Sequence, residues 1–227
     1  MEEKPILFSV PMVNAILRGA KSQTRRVIKP QPPNNFRLWG KPIDNHYAWT
    51  DHPTQGEKGQ VINLDCPYQV GDTLWVRETW CPANSDNGPV VCYKADCHRR
   101  YLVDESYPVD YKRYPAGKNA WLVWASDLES GAEGAWRPSI FMPRWASRIT
   151  LCVTNVRAQR VQDITDVDAL AEGVALTGSV DITGLTTGQP VLDFAKLWDS
   201  INGKRGYSWS SNPWVWAYTF KRIEVPA

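Results

Sequence analysis

The sequence has few of the residues that build metal and disulfide sites. Its 227 residues include only five cysteines and three histidines. The odd cysteine count and the absence of any CxxC pair argue against a disulfide framework and against a zinc ribbon. Cys92, Cys97 and His98 could ligate a metal together with Cys81 or Cys66, but the spacing of these residues is a weak signal. We therefore expect reduced, mostly buried thiols, with no metal and no cofactor.

The chain also has no long apolar run and no strong net charge. No run approaches the roughly 20 apolar residues that cross a bilayer, and the start Met-Glu-Glu-Lys-Pro lacks the features of a secretion signal. A cytoplasmic protein is the expectation. The formal net charge of +2 means that any affinity for nucleic acid must come from local clusters. The composition, 43% apolar and 22% charged, is typical of a folded protein, and we expect one domain with insertions.

The densest chemistry lies in the six residues from Lys21 to Arg26, which carry one amine, two hydroxyls and two guanidinium groups. Such a stretch is ordinary where a helix ends at a glycine, here Gly19, since cations are common in the last turn. The following residues alternate as a strand, so Thr24 and Arg26 share one face and Arg25 lies on the other. Lys21 and Thr24 are therefore expected near each other at a helix-to-strand junction.

Hydrophobic periodicity and turn residues predict the other elements. Strands are expected at 6–8, 73–80, 90–95, 149–153 and 214–220. Helices are expected between Ser9 and Gly19, over 166–172 with Thr165 as cap and Gly173 as stop, and over 194–201. The segment 29–60 is rich in Pro, Gly and Asn and indicates a long ordered loop or insertion. Further insertions are expected at 96–135, where 120–124 is the best ordered candidate, and at 174–190 with a loop over 177–188.

Between residues 137 and 160 the chain has five arginines and no Lys, Asp or Glu. Arginine presents a planar fork that suits phosphate and stacks on bases, so this bias favours a surface that contacts single-stranded RNA. The alternative is an arginine-rich surface paired with acids from elsewhere in the fold. The five residues are Arg137, Arg144, Arg148, Arg157 and Arg160.

Twelve tryptophans are many for this length, and some can stack on a pyrimidine, although most tryptophans serve as core packing. Glu78 shares a strand face with Leu74 and Val76, so it lies either in solvent at the strand end or inside with a partner. The tryptophans considered for stacking are Trp39, Trp49, Trp75, Trp80 and Trp145.

Four features in this order resemble the ASCH domain, a β-barrel-like member of the PUA superfamily associated with RNA. They are Gly19-x-Lys21-Ser22-x-Thr24-x-Arg26 after the first helix, Gly71-Asp72-x-Leu74-x-Val76 opening a strand, a capped helix over 164–173 that ends in Glu-Gly, and a final aromatic strand. The resemblance implies an α+β fold with a PUA-like barrel core and flanking helices. It covers the core of the chain and leaves out the insertions at about 29–60, 96–135 and 174–190. Relatives with such insertions are common in bacteriophage genomes.

The same resemblance implies an activity. Some compact ASCH members are amidohydrolases that remove the acyl group from N4-acetylcytidine, using a Lys and a Thr of the first motif and a Glu of the later helix. By position these residues look like Lys21 as base, Thr24 as nucleophile and Glu172 as acid or base partner. The further residues expected to contact substrate are Ser22, Arg26, Trp75, Glu78, Arg144 and Arg148.

Three questions stay open at this point. Either Thr24 or an activated water can attack the amide, and the lysine can act as a base only if burial and nearby cations lower its pKa from about 10.4. A module that binds RNA without catalysis, or a ribonuclease as described for other ASCH proteins, is the principal rival. A phage accessory protein that binds a host partner through the insertions is a third, weaker possibility.

Overall fold

The computed structural model describes residues 3–43, 46–51, 60–102, 123–174 and 189–224. Helices and strands are mixed along the chain, so the fold is α+β. The strands are β1 (Glu3–Leu7), β2 (Gln23–Val27), β3 (Arg37–Ile43), β4 (His46–Thr50), β5 (Val61–Asp65), β6 (Thr73–Arg77), β7 (Trp80–Ser85), β8 (Gly88–Tyr93), β9 (Arg99–Tyr101), β10 (Thr150–Arg160) and β11 (Trp214–Ile223). The helices are α1 (Val10–Leu17), α2 (Ala125–Ser130), α3 (Asp166–Ala171) and α4 (Pro190–Asn202).

Contacts divide the chain into two compact units, and the first consists of Gly19–Asp72 and Cys152–Lys221. In it β11 lies between β10 and β2. Strands β11 and β2 are antiparallel, with Thr24 opposite Tyr218 and Arg26 opposite Trp216. Helices α3 and α4 contribute to a core formed by Val161, Ile164, Ala169, Phe194, Trp198 and Val215.

The segment 29–60 is not the long loop that its composition indicates. Strands β3 and β4 form there and join β5 in an antiparallel sheet. Tyr47 and Trp49 are two residues apart in β4 and therefore share one face of the strand. The Tyr47 ring centre lies 4.6 Å from that of Trp216, and the Trp49 ring centre lies 5.8 Å from that of Trp214. The loop prediction was wrong because these aromatic side chains favour a strand with one buried face, and this packing outweighs the Pro and Gly content.

The second unit consists of Glu2–Arg18, Thr73–Leu151 and Arg222–Ala227. In it β1 and β6 are parallel, and β7, β8 and β9 form an antiparallel sheet. Alternate residues of the β7–β8 hairpin point to opposite faces, so this hairpin contributes to two apolar clusters. One cluster consists of Trp80, Val91, Tyr93, Leu102, Met142 and Ala146, and the other of Cys81, Ala83, Val90, Cys92, Ala125 and Leu128.

The predicted strand over 73–80 is divided in the structure. Strand β6 ends at Arg77 and β7 begins at Trp80, so Glu78 and Thr79 lie between them. The backbone N–H of Glu78 donates to Met142 Sδ, and the Thr79 carbonyl accepts from Lys94 N–H. Partners outside the strand ladder therefore take these two residues out of the strand.

The predicted cap and stop of helix α3 are confirmed. The Thr165 hydroxyl accepts a hydrogen bond from the backbone N–H of Asp168, as an N-cap should, and Gly173 ends the turn with φ +78°. Two predicted elements are longer than expected, since β10 continues to Arg160 and α4 begins at Pro190, and the strand predicted at 90–95 lies at Gly88–Tyr93.

The loop over 177–188 lies outside the described residues, as does most of 120–124. No sheet formed by the described strands closes into a barrel. None of the helices in the described ranges is long and apolar enough to span a membrane.

Candidate active site

Lys21 and Glu172, which are 151 residues apart in sequence, are in direct contact. Lys21 Nζ donates to both the backbone oxygen and Oε2 of Glu172, each at 2.8 Å. The two backbones also form an isolated antiparallel bridge, and Glu172 is the C-cap of α3. The two side chains are only 0% and 4% exposed, so the ion pair is buried.

Arg25 holds the other oxygen of the Glu172 carboxylate. Its Nη1 lies 3.0 Å from Glu172 Oε1, and its Nη2 lies 2.9 Å from Asp168 Oδ2. The guanidinium carbon lies 5.7 Å from the centre of the Phe194 ring. Arg25 is 1% exposed as a side chain, so it is a buried bridge between two carboxylates.

Asp168 connects the buried charges to Arg157, whose side chain is 41% exposed. Gln23 Nε2 donates to Asp168 Oδ1 at 2.8 Å, and Arg157 Nη2 lies 3.1 Å from both carboxylate oxygens. Burial raises the pKa of Asp168, but hydrogen bonds from Gln23 and Arg157 and the charges of Arg25 and Arg157 lower it overall. We call the following residues the charge network: Lys21, Gln23, Arg25, Arg157, Asp168 and Glu172.

The pKa of Lys21 lies below its usual range. Burial is the largest cause, because it penalises the charged amine. The charge and hydrogen bond of Glu172 act in the opposite direction, whereas the charges of Arg26 and Arg25 lower the pKa further. The net direction is the one that a lysine base requires.

Thr24 is buried, at 1% exposure, on the face of β2 opposite Gln23 and Arg25. Directly opposite residues of an antiparallel pair point to the same side, so its neighbour across the strands is Tyr218. Among the described residues the Thr24 hydroxyl makes no hydrogen bond to Lys21 or Glu172. The structure thus brings Lys21 and Glu172 into contact, whereas Thr24 lies on the face of β2 opposite to Arg25, which holds the Glu172 carboxylate.

Aromatic and thiol groups surround the Tyr218 side of β11. The Tyr218 hydroxyl lies 3.3 Å from Cys66 Sγ, and the rings of Tyr68 and Tyr218 are 5.2 Å apart. Arg26 shares the Thr24 face, and burial is the main cause that lowers its pKa. This side of β2 is therefore lined by rings and one arginine.

Ser22 contributes its backbone to the junction. Its N–H donates to the Ala171 carbonyl and its carbonyl accepts from the Phe220 N–H, each at 2.8 Å. These bonds attach the end of α3 and strand β11 to the residue that follows Lys21. The position of the Lys21–Glu172 pair is consequently fixed by backbone as well as side-chain contacts.

Comparison with known proteins returns no family model, no curated protein and no solved structure that matches the chain. The likeness of its motifs to the ASCH domain therefore stays a prediction.

Glu78 and Arg148 belong to the second unit, where they form a buried ion pair. Arg148 Nε and Nη2 each lie 2.9 Å from a Glu78 oxygen, and Nη1 and Nη2 donate to Asp96. The guanidinium carbon lies 4.0 Å from the Tyr93 ring centre. Burial is the main cause that raises the pKa of Glu78. Burial acts in the same direction on Asp96, but hydrogen bonds and charge from Arg148 lower the pKa of Asp96 overall.

Trp75 and Arg144, which were also expected to contact substrate, contact other residues of the second unit. Trp75 is 7% exposed and lies under Arg77, whose guanidinium carbon is 4.6 Å from the ring centre. Arg144 forms a two-bond fork with Glu3 at 2.6 and 3.0 Å.

The arginines between 137 and 160 mostly contact groups of the protein itself. Three of them, Arg144, Arg148 and Arg157, pair with carboxylates. Arg137 lies over the Trp80 ring and Arg160 over the Trp214 ring, at 5.5 and 4.8 Å. For three of the five, the structure therefore matches the alternative expectation of pairing with acids from elsewhere in the fold.

Sequence reasoning missed Asp168 as a site residue and read it only as part of a helix cap. A signal was present, because Asp168 lies four residues before Glu172 and such residues share a helix face. Gln23 and Arg25 alternate with Thr24, so they share the face that meets this helix. Asp96 had no comparable signal, since its pairing with Arg148 depends on tertiary structure.

The thiols and tryptophans give no further site. Within the described ranges no group of three or more His, Cys, Asp or Glu side chains could hold a metal ion, and all five cysteines are free. Burial raises the pKa of the Cys92 thiol to about 12. Trp49 and Trp80 are buried in the core, Trp145 packs against Trp80, and the side chain of Trp39 lies outside the described part.

Proposed function

We propose that the protein is an amidohydrolase of the ASCH type, with a PUA-like barrel core, that removes the acyl group from N4-acylated cytosine or cytidine in the cytoplasm. The observation that supports this most is the buried contact between Lys21 and Glu172 at 2.8 Å. A buried lysine with a lowered pKa in contact with a carboxylate is typical of acid–base sites.

The proposed reaction uses Thr24 as nucleophile. Neutral Lys21 accepts the proton of the Thr24 hydroxyl as its oxygen attacks the acyl carbonyl. The lysine ammonium then gives a proton to the exocyclic nitrogen, which leaves as the amine of cytidine. Water attacks the acyl-threonine as Glu172 or Lys21 accepts its proton, the bond to the Thr24 oxygen breaks, and the same group returns the proton to that oxygen as the carboxylic acid is released.

Without substrate the Thr24 hydroxyl makes no hydrogen bond to Lys21 or Glu172, so the scheme requires these side chains to approach one another when substrate binds. Catalytic hydrogen bonds are often long in free enzymes and shorten when substrate is bound. A water activated by Lys21 is the alternative nucleophile, and the same proton transfers apply to it.

The test is the absorbance change when N4-acetylcytidine loses its acetyl group. We expect turnover by the native chain and a loss of at least about 100-fold in Lys21→Met and Thr24→Val. Thr150→Val is the matched control, because Thr150 is also a buried strand threonine, at 5% exposure, and it lies outside the network. Absence of turnover with acetyl, propionyl and benzoyl substrates by a folded sample would remove the proposal.

A nucleic-acid-binding module or a ribonuclease is the second candidate, and it is favoured by the guanidinium of Arg160 stacked on Trp214. Stacking of cations and rings is a common way to hold single strands. RNA cleavage that survives Lys21→Met and Thr24→Val would place a nuclease site elsewhere in the chain.

A further inference from the structure

The Glu172 carboxylate is shared between two cations. Its Oε2 accepts from Lys21 at 2.8 Å and its Oε1 accepts from Arg25 at 3.0 Å. Whatever strengthens the hold of Arg25 on Glu172 weakens the attraction that Glu172 exerts on the Lys21 amine. Arg25 and Lys21 therefore compete for one buried charge.

Arg25 is itself shared between two carboxylates, because Asp168 Oδ2 lies 2.9 Å from its Nη2. Asp168 in turn is shared with Arg157, which lies 3.1 Å from each of its oxygens. The charges of the side chains thus alternate in sign along the series Arg157, Asp168, Arg25, Glu172 and Lys21. Arg157 is 41% exposed, and its side chain donates to Gln23 and Asp168.

We propose that Arg157, Asp168 and Arg25 are positioning residues that set how strongly Glu172 holds the Lys21 amine, and hence the pH at which Lys21 becomes a base. This inference rests on the proposed function. It extends the site to Arg157, whose side chain reaches solvent. A substitution in the Arg157–Asp168 ion pair should therefore change proton transfer at Lys21.

The alternating signs make two substitutions act in opposite directions. In Arg157→Met, Asp168 loses a cation and holds Arg25 more strongly, so Glu172 is left more fully to Lys21 and the Lys21 midpoint rises. In Asp168→Asn, Arg25 is released toward Glu172 and a negative charge is lost, so the midpoint falls. The groups that act on Lys21 directly are Glu172, Arg25 and Arg26.

The experiment is an NMR titration of the full-length protein with lysine carrying ¹³C at Cε, with Lys21 assigned by Lys21→Met. We expect a midpoint shift of at least about half a pH unit, upward in Arg157→Met and downward in Asp168→Asn. Arg160→Met is the matched control, because Arg160 is on the same strand and carries the same charge but contacts Asn212 and Trp214. It should leave the midpoint unchanged.

The midpoints and the activity together distinguish four outcomes. Equal shifts in Arg157→Met and Arg160→Met, or no shift in Arg157→Met, would overturn the proposal by showing a general charge effect or no effect. If Asp168→Asn does not fold, the Lys21 midpoint in Arg157→Met tests the proposal alone, because Arg157 is half-exposed. An inactive protein with the expected shifts would reject the amidohydrolase and keep the coupling, whereas activity without shifts would do the reverse. In an active enzyme the pH profile of kcat should move with the midpoint while KM stays constant.

Discussion

Arg148 and Arg144 allow the effect of burial on an ion pair to be measured within one chain. Both arginines form a two-bond fork with a glutamate, but the Glu78 side chain is 1% exposed beside Arg148, whereas Glu3 is 41% exposed beside Arg144. Arg148→Met leaves the Glu78 carboxylate buried without its cation. Arg144→Met leaves Glu3 in water. Both variants therefore remove a fork to a glutamate from different environments, and Arg148→Met also removes two hydrogen bonds to the partly exposed Asp96.

The expected loss follows from the bonds that are broken. Glu78 accepts two hydrogen bonds from Arg148 at 2.9 Å, and bonds to charged groups contribute about 1.5–3 kcal/mol each. Proton uptake by Glu78 offsets part of this loss, so we expect about 3–5 kcal/mol at pH 7, as for other broken buried pairs. For a chain of this size the melting temperature falls by about 10 °C. Arg144→Met should cost less than about 1 kcal/mol.

Urea unfolding at pH 5 and pH 8 tests the reasoning. Burial holds the pKa of Glu78 above its unfolded value, and loss of Arg148 raises it further. Between about pH 4.3, the pKa of an unfolded glutamate, and the raised pKa of Glu78, the folded variant binds more protons than the unfolded chain. The stability of the variant therefore falls as pH rises through this range. The cost of Arg148→Met should be larger at pH 8 than at pH 5. A cost that equals that of Arg144→Met, or that does not change with pH, would refute the argument.

Three further predictions concern other parts of the chain. Hydrolysis of N4-acetylcytidine should rise with pH through the Lys21 midpoint, which we expect below about 10.4 because the folded pKa is lowered, and a rate that falls over this range would exclude a lysine base. Gly19→Ala should cost about 1 kcal/mol in urea unfolding because φ is +73°, whereas Gly203→Ala, which has no positive φ, should cost less. If RNA binds through Arg160, the affinity for a single-stranded oligonucleotide measured by anisotropy should fall steeply between 50 and about 200 mM salt, and Arg160→Met should reduce the slope.

Local patterns allowed most helices and strands to be predicted, because each of them depends on neighbouring residues. The capped helix α3 is an example, since Thr165 and Gly173 mark its ends by bonds and angles that are local. The same locality explains the error over 29–60, where composition indicated a loop but packing of Trp49 on the last strand decides the structure.

The candidate site was predictable only in part for a similar reason. Lys21 and Glu172 were named from motif positions, and they are in contact. The sharing of Asp168 between Arg25 and Arg157 depends on how α3 and β10 meet β2, which no local pattern encodes. The role assigned to Thr24 stays a prediction.

The ring packing of Tyr47 and Trp49 on Trp214 and Trp216 has a practical consequence for trimming the protein. Although β4 lies in the segment 29–60, which was expected to be an insertion, the rings of Tyr47 and Trp49 pack against the indole rings of Trp214 and Trp216 in the closing strand. A shortened chain without residues 29–60 would expose those rings to water and should aggregate. For purposes of expression, this segment is therefore an obligatory part of the first unit.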